Sequence, residues 1–252
     1  MDFAKFVSLL DREQLYFARA DTLDDPFEGA RPRQLAELRA AWEGKTGIPD
    51  WFADQRRAAR QSTFISAWHA NEVESAAMWN LYIRSGDGIA VKSTFGRLCD
   101  AMASEERPVY VGAVEYLDYE TATFPNEQIF EHNILWQFVR KRLSFAHERE
   151  VRAVAENFKY VLGVLARGNP ESRAQALSSA GIADVPALDL DEVLPLPPPG
   201  LYLAVDLGTL IESIRVAPTA APWLAELVHS MMDRFSRAEP VRQSSLLSDP
   251  IY

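Results

Sequence analysis

The chain has 252 residues, 48% of them hydrophobic and 25% charged, with a net charge of -10 and a pI near 5.0. This is globular composition, which excludes a disordered chain, and the charge does not indicate a nucleic-acid partner, since phosphate contacts need clustered Lys and Arg. One cysteine, Cys99, excludes an intramolecular disulfide, and the four histidines (His69, His132, His147, His229) lack metal-ligand spacing, so no metal site is expected. With no basic-then-apolar leader and no apolar run of membrane-spanning length, the expectation is no membrane partner and a cytoplasmic setting.

Phe3, Phe6, Val7, Leu9 and Leu10 fall at helical spacing and predict an opening amphipathic helix. Leu15–Ala18 reads as a strand, and Asp24-Asp25-Pro26-Phe27-Glu28-Gly29 as a turn. Helices are expected over Gln34–Trp42 and Asp50–Arg60, a strand over Gln61–Trp68, and a helix over Val73–Ile83 started by Asn71. A turn at Ser85-Gly86-Asp87-Gly88 leads to a strand at Ile89–Ser93 and a helix carrying Cys99. Val109–Tyr119 alternates as one strand. Asn126–Leu143 reads as a strong helix with Ile134, Leu135, Phe138 and Val139 inward, and Phe158–Ala180 as an interrupted helix. Residues 181–200 form a Pro-rich exposed loop. Strands at Tyr202–Val205, Ile211–Val216 and Val241–Leu246 and a helix from Pro222 to Phe235 complete the chain. The irregular alternation predicts a single α+β domain over 1–252, with a mixed, mainly antiparallel sheet and flanking helices.

The stretch Ser144-Phe145-Ala146-His147-Glu148-Arg149-Glu150-Val151-Arg152-Ala153-Val154 carries the most chemistry. As a half-buried strand it sends Val151, Ala153 and Ala155 to one face and Glu148, Glu150 and Arg152 to the other. Rigid strands hold carboxylates accurately enough for acid/base or ribose-binding work. The competing outcome is a solvated face with a cross-strand ion pair. Trp79 and Tyr82, one helical turn apart, suit a planar ligand or a core. Arg140-Lys141-Arg142 suits a diphosphate or a helix carboxyl end, and it and Arg56-Arg57 with Arg60 are the two candidate basic patches.

Five motifs in order resemble one mainly bacterial family of unsettled function, known as domain of unknown function 2971. They are Leu15-Tyr16-Phe17-Ala18, Asp25-Pro26-Phe27-Glu28-Gly29, Met78-Trp79-Asn80-Leu81-Tyr82 before Gly86-Asp87-Gly88-Ile89-Ala90-Val91, Lys141-Arg142, and Glu148-Arg149-Glu150-Val151-Arg152. That family's layout is similar to the ADP-ribosyltransferase superfamily. The resemblance implies an NAD-consuming enzyme, a bacterial toxin or phage-defence effector, with an unknown macromolecular acceptor. Glu150 would stabilise the oxocarbenium charge on the nicotinamide ribose, and Glu148 would position the acceptor. Trp79, Tyr82, Arg142, Asp25 and Arg152 would bind the cofactor. The family pattern of Glu followed two residues later by Arg also fits an ion pair between Glu150 and Arg152. Two alternatives therefore stay open: a non-catalytic binding module, with Asp25, Arg142, Glu150 and Arg152 in a structural polar network, and a metal-dependent nucleic-acid-processing effector whose Asp24, Asp25, Glu148 and Glu150 gather Mg²⁺; the small-molecule partner expected of the chain is nucleotide-like.

Overall fold

The computed structural model describes residues 1–46, 51–83, 87–123, 134–157, 160 and 195–247. In chain order these form α1 (Phe3–Arg12), β1 (Gln14–Arg19), α2 (Arg33–Thr46), α3 (Trp51–Ser62), β2 (Thr63–His69), α4 (Ala76–Tyr82), β3 (Ile89–Lys92), α5 (Phe95–Ala101), β4 (Val109–Ala113), β5 (Glu115–Leu117), β6 (Arg140–Arg142), β7 (Glu150–Glu156), β8 (Gly200–Ala204), α6 (Leu207–Leu210), β9 (Ser213–Val216), α7 (Pro222–Arg234) and β10 (Val241–Gln243). Short 3₁₀ turns lie at Ala20–Thr22, Ile134–Phe138, Leu143–Glu148 and Ser245–Leu247. The class is α+β with mainly antiparallel pairing, as the sequence predicts. No helix among the described residues is long and apolar enough to cross a membrane.

The chain forms two compact units. The first takes Met1–Tyr16, His69–Arg107 and Tyr202–Tyr252, and the second Phe17–Trp68 and Pro108–Leu201. In the first, the sheet order is β10-β9-β3, with β9 antiparallel to β3 and parallel to β10. Asp2 caps α1 by accepting from the Lys5 N–H at 2.8 Å, and Phe6, Leu9 and Leu10 form its buried stripe. Pro222 opens α7, where its missing N–H costs nothing, and Leu224, Val228 and Met232 recur every fourth residue on the buried side.

The strand order of the larger sheet is β4-β7-β2-β1-β8; the second unit holds β4, β7, Thr63–Trp68 of β2, Phe17–Arg19 of β1 and Gly200–Leu201 of β8, together with the pair β5-β6. Its buried cluster is Ala20, Ala59, Ile65, Leu135, Phe138 and Val154. β4 is antiparallel to β7, with Val111 opposite Ala153, whereas β5 is parallel to β6, with Tyr116 opposite Lys141. The single strand predicted over Val109–Tyr119 is therefore divided. Val114 donates its N–H to the Glu150 carbonyl and Glu115 to the Val139 carbonyl, both at 2.9 Å, so the chain changes ladder partner there.

Other boundaries also move. The helix predicted over Asn126–Leu143 is a 3₁₀ turn at Ile134–Phe138 followed by β6, and residues 126–133 lie outside the described residues. Leu135 and Phe138 are buried as expected, but a separation of three suits a 3₁₀ turn as well as an α-helix. The predicted strand starting at Ser144 begins at Glu150, because Leu143–Glu148 is a 3₁₀ turn closed by Arg149 in the left-handed region, φ 43°. Helix α4 is capped by Ser75, which accepts from the Met78 N–H at 3.3 Å, so Asn71 is not its start. The closing strand stops at Gln243. The helix predicted over Phe158–Ala180 and the loop over 181–194 lie outside the described residues; Pro197 and Pro199 of that loop accept hydrogen bonds from Arg19, and Pro197 is buried.

Gly29 shows how tightly the second unit closes. Its φ is 69°, and a Cβ there would stand 2.7 Å from the Phe138 ring. A left-handed non-glycine residue costs about 1–2 kcal/mol before any clash is counted. Gly29→Ala is therefore expected to destabilise the protein by at least about 2 kcal/mol in urea unfolding; an unchanged midpoint would contradict this packing.

Candidate binding site and its buried ion network

Three stretches separate in sequence meet inside the second unit: the Asp25–Gly29 turn, β5, and the continuous run from β6 through the 3₁₀ turn at Leu143–Glu148 to β7. At the centre is Arg152, 1% exposed. Its Nε donates to Glu150 Oε2 at 2.5 Å, Nη2 to Glu28 Oε2 at 3.1 Å and Nη1 to the Phe138 carbonyl at 2.7 Å, while Nη1 also meets Glu28 Oε1. The other Glu150 oxygen accepts from Lys141 Nζ at 2.6 Å, and Lys141 also donates to Glu148 Oε2 at 2.5 Å. Tyr116 Oη accepts the Glu150 backbone N–H at 2.7 Å.

Local backbone explains how acid meets base. Lys141 lies on β6 opposite Tyr116 of β5, and the left-handed Arg149 turns the chain between the two acids so that both reach the Lys141 ammonium. Charges out of water survive only when paired and hydrogen-bonded. Three acids (Glu28, Glu148, Glu150) and two cations (Lys141, Arg152) are joined in this chain of ion pairs. Burial pushes the Glu148 carboxyl up, and its hydrogen bond with Glu150 adds to that rise. Burial also opposes ionisation of Glu150, but the bond with Glu148 and the Arg152 guanidinium bring it down to about 2. Burial works against the Lys141 ammonium too, yet its bonds to Glu148 and Glu150 hold it above its ordinary range.

The predicted solvated face is thus overturned: Glu148, Glu150 and Arg152 are all buried. So is the predicted basic patch at Arg140-Lys141-Arg142. Arg140 is buried, with its guanidinium over Trp136 and Nε 3.1 Å from Glu115, and Lys141 is buried between the acids. Arg142 alone reaches the surface, its side chain 32% exposed. Its guanidinium lies 4.0 Å from the Phe27 ring centre and 5.1 Å from that of Phe145. Nη2 donates to Asp25 Oδ1 at 2.9 Å. Asp25 Oδ2, Arg142 Nε and Tyr119 Oη are buried without a partner. Burial raises the Tyr119 phenol to about 12, aided by the Glu28 charge.

The structure brings Asp25, Arg142, Glu148, Glu150 and Arg152 into this one unit. Trp79 and Tyr82 belong to the first unit. There, Trp79 Nε1 donates to Glu74 Oε2 at 3.2 Å, and Tyr82 is 61% exposed. Glu74 also takes the Ser245 N–H and hydroxyl at 3.0 Å each and the Ser244 hydroxyl at 2.5 Å, so its carboxylate ties α4 to the chain after β10. Glu28, Tyr116, Tyr119, Phe27 and Phe145, which the sequence does not mark as site residues, complete the cluster, and Lys141, read as part of a basic patch, is instead its second buried cation. The signal for Lys141 and Glu28 was available: acids on a buried strand demand cations, and a second buried cation demands another acid. The aromatic members had no comparable signal. Of the carboxylates expected to gather Mg²⁺, Asp25 is held by Arg142, Glu148 by Lys141 and Glu150 by Lys141 and Arg152, while Asp24 is exposed. Among the described residues no group of three or more His, Cys, Asp or Glu side chains could hold a metal ion.

Two expectations follow. Arg152→Met leaves Glu28 and Glu150 buried without their shared guanidinium and is expected to cost about 3–5 kcal/mol in urea unfolding; an unchanged midpoint would contradict the network. Separately, burial alone pushes Glu156 at the end of β7 from 4.5 up to about 7, and its Oε1 has no partner. The stability from its neutral form is complete below its unfolded value of 4.5 and is lost as pH rises through 7. Glu156→Gln is expected to remove that loss, so between about pH 5 and pH 8 its unfolding midpoint should fall less than that of the parent protein.

No family model matches the chain, and neither a curated protein nor a solved structure is significantly similar to it. The resemblance to domain of unknown function 2971 rests on sequence motifs alone.

Proposed function

We propose that this protein is a non-catalytic binding module for a small anionic, nucleotide-like molecule, with the ion network as its rigid platform. The observation that carries this reading is the occupancy of Glu150. One oxygen accepts from Lys141 and the other from Arg152, and Arg152 is itself saturated by Glu28 and the Phe138 carbonyl. Acting as a transferase acid would require Glu150 to release one of these bonds inside a buried site, at the cost of an unpaired charge. Arg142 is better placed to meet a ligand, being cationic, aromatic-flanked and partly exposed.

One feature favours the ADP-ribosyltransferase alternative with NAD as substrate. Glu148 is pushed up and Glu150 down, which is the split that an acid and its conjugate partner need. A nicotinamide-release assay on NAD separates the two. The module is expected to release none above the buffer rate, and Glu150→Gln is expected to lower the melting temperature without changing that result. Release by the parent chain that is abolished in Glu150→Gln would establish the transferase instead.

A further inference from the structure

We infer that the corner where Asp25 meets Arg142 recognises a phosphorylated sugar, a step that rests on the binding-module reading and names its ligand class. The two side chains touch by one edge only. Asp25 Oδ1 accepts from Arg142 Nη2 at 2.9 Å and from the Phe27 N–H at 3.0 Å. Oδ2 and Arg142 Nε, each one covalent angle away from that contact, are both buried without a partner, although the Asp25 side chain is only 7% exposed. A full fork between carboxylate and guanidinium would have used both. A buried acceptor and a buried donor left empty side by side are costly. A hydroxyl suits them best, because one oxygen both donates and accepts.

The surroundings extend that match. Tyr119 Oη is a third buried polar atom without a partner; its phenol feels the charges of Asp25 and Glu28, and its high pKa keeps the proton on as a donor for a second hydroxyl. The Phe27 ring, 42% exposed, offers an apolar face of the kind that the C–H side of a sugar ring covers, and it stands edge-on to Tyr119 with ring centres 6.3 Å apart. The exposed part of Arg142, pinned between Phe27 and Phe145, supplies the charge for a phosphate. Oδ2 and Nε are covered, so a ligand reaches them by shifting Phe27 and Arg142, the partly exposed members of the stack. Neither phosphate alone nor a free sugar fills both halves of the corner.

Calorimetric titration of the full chain tests this, using ribose 5-phosphate, AMP, NAD, free ribose and inorganic phosphate as probes. Saturable binding of ribose 5-phosphate is expected, with a Kd below about 1 mM and at least about tenfold tighter than ribose or phosphate alone. Tighter binding of AMP or NAD than of ribose 5-phosphate would identify a nucleotide as the source of the sugar phosphate; the reverse order would identify the free sugar phosphate. Asp25→Asn should weaken the sugar phosphate at least about tenfold while changing phosphate binding little. Phe27→Ala, at an exposed ring, should give a similar loss and carries the test if Asp25→Asn melts early. The site is overturned if none of the three sugar phosphates binds, if inorganic phosphate binds as well as they do, or if a folded Asp25→Asn or Phe27→Ala binds normally. Nicotinamide released during the NAD titration would refute the non-catalytic reading and leave the sugar site standing. Absence of binding would refute the site and leave the platform standing.

Discussion

A guanidinium buried at 1% exposure dictates much of what surrounds it. Arg152 cannot lose its proton at any ordinary pH, so every donor it brings inside must find an acceptor. Glu28, Glu150 and the Phe138 carbonyl supply them, and each comes from a different stretch of chain. Those acceptors bring their own requirements. Glu150 needs a second cation for its free oxygen, Lys141 provides it, and Lys141 in turn engages Glu148. The turn after Pro26, the β5-β6 pair and the left-handed residue at Arg149 are thereby tied to one another by charge as well as by apolar packing.

Two neighbouring carboxylates of the network do not ionise alike, because burial opposes charge on both. The bond between Glu148 and Glu150 lets the pair share the load unequally, with Glu148 raised and Glu150 lowered. The same pattern serves proton transfer in enzymes and charge accommodation in scaffolds. What separates the two uses is whether an oxygen remains free, and on Glu150 both are engaged.

Much of the fold was legible where one force acted alone. The stripe Phe6, Leu9, Leu10 and the Pro222 start of α7 follow from periodicity and from the geometry of proline. Legibility failed where long-range pairing decided the outcome. Val109–Tyr119 alternates throughout, but nothing local says that Val114 changes partner from β7 to β6. Ile134–Val139 has spacing that a 3₁₀ turn satisfies as well as an α-helix, and the pairing of β6 with β5 settles the matter. The ion pairs between Asp25 and Arg142 and between Glu150 and Arg152 were among the readings that the residues allowed; their depth was not, because amphipathic alternation predicts one wet face and β7 has almost none.

The order in which segments join their units bears on how the chain is made. The second unit has all its segments once Leu201 has been synthesised. The first unit does not. Helix α1, with Phe6, Leu9 and Leu10 turned inward, shares that unit with His69–Arg107, where Ile89 donates its N–H to the Met1 carbonyl, and with the segment from Tyr202 on, where Val205 donates its N–H to the Glu13 carbonyl. During ribosomal elongation the apolar stripe of α1 therefore gains part of its unit with His69–Arg107, and the unit closes only after every segment of the second unit has been made.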